Sequence, residues 1–500
     1  MSCIYGLTLR GIDALPVEVE VCLTGGLFSI SIVGLADTAI KESRERVRIS
    51  LGTLGIKLKG HISVNLAPAD LPKEGALLDL PIAVGIAKEV GFIPEGVNGI
   101  FMGELALDGR LRKVRGGVPA AFLARQLGLP LFVPWGNVAD VSMVQEVEAY
   151  GCSNIGELFC HLRGEKTLQK LDFTLPQAKE IAVEPDFADI KGQAAAKRGL
   201  EIAAAGHHNV FLVGAPGSGK TMLAKALRGI LPPLSDDELI EAMRIRSARG
   251  LPLETDRFRP FRSVHHTSSA VAICGGGIDL KPGELSLAHR GVLFLDEITE
   301  FRRDVIEALR QPLEDGCITV SRASGSATYP ASVLLIAACN PCPCGYLGDT
   351  VKECTCSPGD IDRYFKKLSG PILDRIDLHL QIPRLTPEEL LELDSDAENS
   401  SAIRYRVMRA RSIQLERWRH FGIKCNAELT ERIMKKYLGL SKDGRAFLKS
   451  IGASLRLTGR GLSRVLKVAR TIADLAGDKA VKDSHLAEAL AYRGGFSFER

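Results

Sequence analysis

The chain of 500 residues is 45% hydrophobic and 25% charged, the proportions of a soluble globular protein of about three domains, and it has no run of 18 apolar residues to span a membrane. Residues Met1 to Gly6 lack a basic stretch followed by an apolar core; a cytoplasmic protein is expected, with its 12 cysteines as thiols or metal ligands rather than a disulfide framework. The net charge of +4 conceals an asymmetry, since residues 401–500 carry 22 Lys and Arg against 9 Asp and Glu while the rest of the chain is net acidic; a polyanion or acidic neighbouring subunits are the partners this implies.

In chain order, Ile4–Leu9, Val17–Leu23, Phe28–Val33 and His61–Leu66 read as strands. Asp37–Leu51 and Leu77–Val90 read as helices, with Asp37 placed to cap the first. The segment from Pro72 through Leu77 and Asp79 to Pro81 resembles the active-site segment of the Lon protease domain, and Gly103 to Gly117 extends the likeness. The resemblance implies a Lon-protease-like domain over 1–165. In that family the first segment carries a nucleophilic Ser and the second is followed by a catalytic Lys. The matching positions here are Leu77 and Pro119, which can neither attack nor activate, so an inactive domain is expected. Lys113 stands nearby without a nucleophile and reads as a surface residue. Residues 166–185 are polar, contain Pro176 and Pro185, and read as a linker.

The helix expected over Ala194–Ala205 leads into an apolar strand, Asn209–Val213, and then into Gly214, Ala215, Pro216, Gly217, Ser218, Gly219, Lys220 and Thr221. These eight residues match the phosphate-loop pattern G-x-x-x-x-G-K-[ST], and a helix follows from Met222. Glycines let backbone N–H groups turn around a polyphosphate at a helix N-terminus. Lys220 is expected on the β and γ phosphates of ATP, and Thr221 on Mg²⁺. A second apolar run, Gly291–Leu295, ends in Asp296 and Glu297 and reads as a Walker B segment. Asp296 is placed to hold Mg²⁺ through water, and Glu297 to polarise the attacking water. A third run, Leu334–Cys339, ends in Asn340. Cys342, Cys344, Cys354 and Cys356 follow in a C-x-C-x₉-C-x-C arrangement, four thiolates within 15 residues that can close a tetrahedral, structural Zn²⁺ site; four reduced loop thiols are the other reading. His265 and His266 are adjacent but no third ligand is spaced to join them, so they read as loop residues.

The order of these motifs resembles the AAA+ ATPase superfamily. The resemblance makes Asn340 the sensor-1 residue that orients water. It makes Arg375, in Gly370–Leu378, an arginine finger that reaches a neighbour's γ-phosphate, and Arg464, in Thr458–Arg470, the sensor-2 arginine. Three further parts are segments a minimal ATPase does not need: Pro260–Ser268, Gly275–Gly277, and a hairpin from Glu314 through Arg322 to Ala331. Together with Leu287–Gly291 they resemble the ComM/YifB family of magnesium-chelatase-like AAA+ proteins over nearly the whole chain. Val264 and Arg290 depart from the Pro and Asn expected there.

The fold expected is α/β throughout the two larger domains: the Lon-like domain, a Rossmann-like AAA+ core over 186–385 with helix-2 and pre-sensor-1 inserts, and a helical lid over 386–500. The resemblance implies an ATP-driven, homo-oligomeric, hexameric helicase that acts on single-stranded or branched DNA and drives branch migration during natural transformation. Arg322 in the hairpin is the candidate DNA contact. The alternatives are a magnesium-chelatase-type motor subunit, a non-proteolytic chaperone-like ATPase and, against the missing nucleophile, a Lon-like peptidase.

Overall fold

The computed structural model describes residues 2–493 apart from 35–37, 74, 177–182, 255, 278–279, 323–324, 350, 369, 387–388, 390–396 and 453–457. The expected cap Asp37 lies outside the described residues. The chain begins with a mixed seven-stranded sheet in the order Ser29–Val33, His61–Ala67, Asp13–Thr24, Ser2–Arg10, Ile100–Phe101, Leu131–Pro134, Ala149–Cys152. Along His61–Ala67 the residues Ile62, Val64 and Leu66 are buried and their neighbours half-buried, the period-two pattern of a strand covered on one face. Helix Asp79–Glu89 is buried along most of its length because it lies between this sheet and helix Thr38–Thr53. The expected linker begins later than its polarity suggests. Leu168 is in the sheet's core, and the Leu171 and Thr174 N–H groups donate to Ala149 O and Ser142 O, both at 2.8 Å. Residues 168–174 are therefore held along the sheet, where their backbone donors find acceptors.

The second sheet has five strands, all parallel, in the order Phe261–Val264, Val292–Leu295, Leu334–Cys339, Val210–Gly214, Leu378–Ile382. Its inner strands are continuous apolar runs, as strands covered on both faces must be. Phe261–Val264 corrects an expectation: it is the edge strand of this core, in register from Phe261 opposite Val292 to Val264 opposite Leu295, and not part of an insert. Arg262 and Ser263 disguised it, and an edge strand with one neighbour tolerates such residues. Two small ribbons stand outside the sheet, Gly275–Gly276 with Lys281–Pro282 and Cys317–Arg322 with Gly325–Pro330. Because all five strands run the same way, their C-terminal ends gather at one edge, where an open parallel sheet carries its ligand site.

From Ser400 onward the described elements are helical, with helices Ser400–Trp418, Glu431–Tyr437, Lys442–Gly452, Gly459–Ala476 and Asp483–Ala491. Thr458 caps the fourth by accepting from the Gly461 N–H. Their apolar faces join the same core as helix Lys220–Ile230 and strand Val210–Gly214. The first sheet is docked on the second through helix Asp236–Arg249, started by a reciprocal Ser235–Glu238 capping box. Leu239, Ala242 and Met243 pack with Leu77 and Val118, and the Ser247 side chain and carbonyl accept from the Val118 and Gly116 N–H groups at 3.1 and 2.9 Å. The turn at Gly11 rests on the Cys317–Pro330 hairpin: Arg10 Nε donates to Ser326 O at 3.1 Å, and a Cβ on Gly11 (φ +66°) would meet Ala327 at 3.0 Å. No described helix is long and apolar enough to cross a membrane.

Candidate nucleotide site and thiolate centre

Between strand Val210–Gly214 and helix Lys220–Ile230 the chain makes a tight loop. Gly217 and Gly219 have φ of +79° and +93°, a region glycine enters without strain. Gly214 has no space for a side chain, since a Cβ would stand 2.4 Å from Ile382 O and 2.7 Å from Ser218 Oγ. Gly219 occupies the helix N-cap and offers no side chain to the first N–H groups, which leaves them for a ligand. Ser218 Oγ is buried with no hydrogen-bond partner. Lys220 Nζ donates to Gly214 O (2.7 Å), Ala215 O (3.0 Å) and Asn340 Oδ1 (3.2 Å), all neutral acceptors. Burial pulls its pKa below that of an ordinary lysine, against the pull of Asp296, Cys339 and Glu297. A cation so placed, an orphaned hydroxyl and a ring of backbone donors fit a polyphosphate.

The end of strand Val292–Leu295, one strand removed from the phosphate-loop strand across Leu334–Cys339, supplies the acids. Thr221 Oγ1 donates to Asp296 Oδ2 at 2.9 Å, and this hydroxyl–carboxylate pair is the hard-oxygen donor set that suits Mg²⁺. Glu297 adopts a left-handed backbone (φ +51°) with its N–H on Asp296 Oδ1 at 3.0 Å, leaving its carboxylate exposed. For a residue other than glycine, that conformation costs roughly 1–3 kcal/mol. Glu297 and Asn340 line one cavity of about 560 Å³ with Pro343, Cys356, Arg363 and Tyr364. His266, which follows the edge strand, was missed as a site residue. Its Nδ1 is 3.8 Å from Glu297 Oε2, and its ring packs edge-on to Phe301 and over His265. Its adjacency to Glu297 follows from strand order, which no local pattern discloses.

Arg375 and Arg464 are not brought to this edge. Arg375 is 8% exposed and holds Glu314 Oε1 through Nη2 at 2.7 Å; Arg464 holds Asp377 Oδ1 through Nη1 at 2.5 Å. Asp377 precedes Leu378, which pairs with Val210, whereas the phosphate loop starts at Gly214, opposite Ile382. Four residues of strand, about 13 Å, separate the two ends. Asp377 also accepts from the Asn209 N–H (3.1 Å) and stands 3.4 Å from His208 Nδ1. Burial would raise its pKa, but Arg464 and His208 outweigh burial and hold the carboxylate well below the usual range. Arg464, Asp377, Glu314 and Lys467 line a second cavity of about 830 Å³.

The four cysteines do come together. Their sulfurs lie within 4.8 Å of one another. Cys342 Sγ is 3.3 Å from Cys344 Sγ and 3.6 Å from Cys354 Sγ, and Cys344 to Cys354 is 3.6 Å. Sulfurs 2.3 Å from a tetrahedral Zn²⁺ are about 3.8 Å apart, so the cluster fits that ion. Backbone N–H groups of Tyr346 and Thr355 pull the Cys344 thiol down to about 6, whereas Cys354 and Cys356 are raised, the backbone N–H group that each accepts from being outweighed by burial and the neighbouring thiols. On the helices packed against the first sheet Leu77 and Pro119 are buried, and Asp79 is a structural pin, bound by Arg46 Nε at 2.7 Å and the Leu105 N–H at 3.1 Å. Lys113 is half-exposed and paired with Asp140 at 3.0 Å. Arg322 ends its strand, and its side chain lies outside the described residues.

Family models described as "Magnesium chelatase, subunit ChlI", "Subunit ChlI of Mg-chelatase" and "Magnesium chelatase, subunit ChlI C-terminal" match residues 186–390, 19–137 and 397–493. The second bears the chelatase name too, so the first sheet does not by itself set this chain apart from chelatases. An uncharacterized protein YifB of Salmonella typhimurium is 41% identical over 99% of this chain and 97% of its own length. Competence protein ComM of Haemophilus influenzae is 41% identical over the same shares. The magnesium-chelatase 67 kDa subunit of Heliobacterium mobile is 26% identical over 45% of this chain and 38% of its own length.

Proposed function

The chain belongs to the ComM/YifB family of magnesium-chelatase-like AAA+ ATPases, and from that premise we propose that it is an ATP-driven motor on DNA, a hexameric ring that promotes branch migration during recombination in natural transformation. One observation carries the ATPase part: Lys220, Thr221, Asp296, Glu297 and Asn340 converge at one edge of a parallel sheet. In this reading Lys220 and the loop N–H groups bind the phosphates of ATP, Thr221 and Asp296 hold Mg²⁺, Glu297 takes a proton from water, and Asn340 orients that water. The ion neutralises phosphate charge when bound. Arg375 and Arg464, paired at the other end of the sheet, are assigned to the phosphates of a neighbouring subunit. In the same reading the first 165 residues are a non-proteolytic Lon-like module and residues 386–500 a lid.

DNA as the substrate is supported by the competence protein among the relatives and by the 22 Lys and Arg against 9 Asp and Glu in residues 401–500. The pairwise likeness is fuller to the competence protein, over 99% of this chain, than to the chelatase subunit, over 45%, although chelatase family models match most of the chain. The experiment is the ATPase rate alone, with single-stranded DNA and with branched DNA. Stimulation by DNA is expected. A rate indifferent to every DNA would leave an ATPase of the chelatase or chaperone-like kind. We further assign one Zn²⁺ to Cys342, Cys344, Cys354 and Cys356, which metal analysis of protein purified without chelator checks.

A further inference from the structure

The four-cysteine loop touches the hydrolytic site at several points. It starts two residues after Asn340, whose Oδ1 accepts from Lys220 Nζ at 3.2 Å. Inside the loop, Gly345 has φ +87° and lies against the phosphate loop so closely that a Cβ would stand 2.9 Å from the Pro216 ring. The Gly345 N–H donates to Cys342 O at 3.0 Å, which ties that contact to the first ligand. The last ligand, Cys356, faces the cavity that Glu297 and Asn340 line. Ser357, next in the chain, caps helix Pro358–Lys366, and on that helix Tyr364 Oη accepts from Thr299 Oγ1 at 2.7 Å, two residues beyond Glu297. Asp349, midway, is 3.5 Å from Arg384, which follows strand Leu378–Ile382.

We propose that a tetrahedral, thiophilic divalent cation of the Zn²⁺ class, held by Cys342, Cys344, Cys354 and Cys356, is energetically coupled to the nucleotide site. The inference rests on reading the phosphate loop as an ATP site and the cluster as a metal site, and goes beyond both. Without the ion, the described contacts that join the first and last pairs of cysteines in this 15-residue segment are sulfur contacts such as the Cys344 N–H on Cys356 Sγ at 3.3 Å. Asn340, Pro216 and the turn after Glu297 then lose a common brace, and nucleotide binding must order that segment. With the ion, the ordering has already been done. Coupling of this kind is reciprocal: what metal does for nucleotide affinity, nucleotide does for metal affinity.

The test uses the full-length chain, unmutated. Zn²⁺ affinity is measured by competition with a chromophoric chelator, first without nucleotide and then with saturating Mg²⁺ and a non-hydrolysable ATP analogue. At least roughly fivefold tighter Zn²⁺ binding is expected with the analogue, within the span usual for coupled sites. The metal-stripped chain is expected to bind the analogue more weakly by the same factor. Equal Zn²⁺ affinity in both states, with both ligands demonstrably bound, overturns the proposal. Nucleotide binding without any Zn²⁺ binding overturns the metal centre and the coupling with it, while leaving the ATPase reading intact. Zn²⁺ binding with no nucleotide binding overturns the ATPase reading, and the coupling falls with it.

Discussion

Lys220, heading the helix after the phosphate loop, and Glu297, following strand Val292–Leu295, are assigned separable steps in the proposed ATPase. Lys220→Ala removes a charge-assisted contact to phosphate and is expected to weaken nucleotide binding roughly 10- to 100-fold. Glu297→Gln keeps the shape and loses the base, so nucleotide should bind as before while turnover drops by roughly 10²- to 10⁴-fold. Equilibrium binding beside phosphate release checks both; equal loss of affinity in the two variants would refute the roles. His266 Nδ1 stands 3.8 Å from the same carboxylate, across a half-exposed gap. Its removal in His266→Ala should raise basal turnover roughly two- to fivefold and leave nucleotide affinity alone, a split between kcat and KM that a purely structural role would not produce. The phosphate loop, Asp296, Glu297 and Asn340 were legible in the sequence because each closes an apolar run, and a parallel sheet delivers such ends to one edge. His266 was not, because proximity between two strand ends depends on sheet order. Arg290, where Asn was expected, has φ of +63°, a conformation Asn tolerates well; its side chain is instead engaged by Glu241 at 2.9 Å.

At the level of elements, the junction between the parallel sheet and helix Gly459–Ala476 hangs on Asp377. This carboxylate is buried with Arg464, His208 and the Asn209 N–H as partners. Asp377→Asn leaves those partners facing a neutral group and is expected to cost about 3 kcal/mol. The pH dependence has a definite sign. The folded-state pKa lies below the unfolded value, so the contribution is complete above about pH 5 and fades as pH falls through 4 towards the folded value. Thermal melts of the two proteins should therefore differ most near neutrality and converge in acid; a constant gap would exclude the ion pairs as its cause. Most helices and strands were legible from apolar periodicity, but the docking of the first sheet on helix Asp236–Arg249 was not. It depends on Ser247 meeting the N–H groups of Gly116 and Val118, and nothing local to either segment announces the other. The edge strand Phe261–Val264 escaped for the opposite reason: its own residues do not look like a core strand.

For the whole molecule, on the proposed reading, the distance of Arg375 and Arg464 from the phosphate loop makes assembly the decisive variable. Arg375→Ala should bind ATP and fail to turn it over, and mixing it with Lys220→Ala chains should restore part of the activity, since each lacks what the other supplies. No recovery in mixed rings that demonstrably form would place the arginine's action within one chain. DNA binding through the basic C-terminal region should weaken steeply with salt, log K falling linearly with log salt concentration. Sizing at the salt where DNA is released separates two causes: an intact ring means phosphate contacts were lost, and single chains mean that the basic region binds acidic neighbours. The pairing of those arginines with the chain's own Glu314 and Asp377 also sets how the protein behaves when scarce. With both arginines acting in trans, a solitary chain carries ATP without consuming it. The rate per chain then climbs with abundance, and each chain lacking Arg375 silences one neighbour's site while its own is still served, so activity falls in proportion to the fraction of such chains.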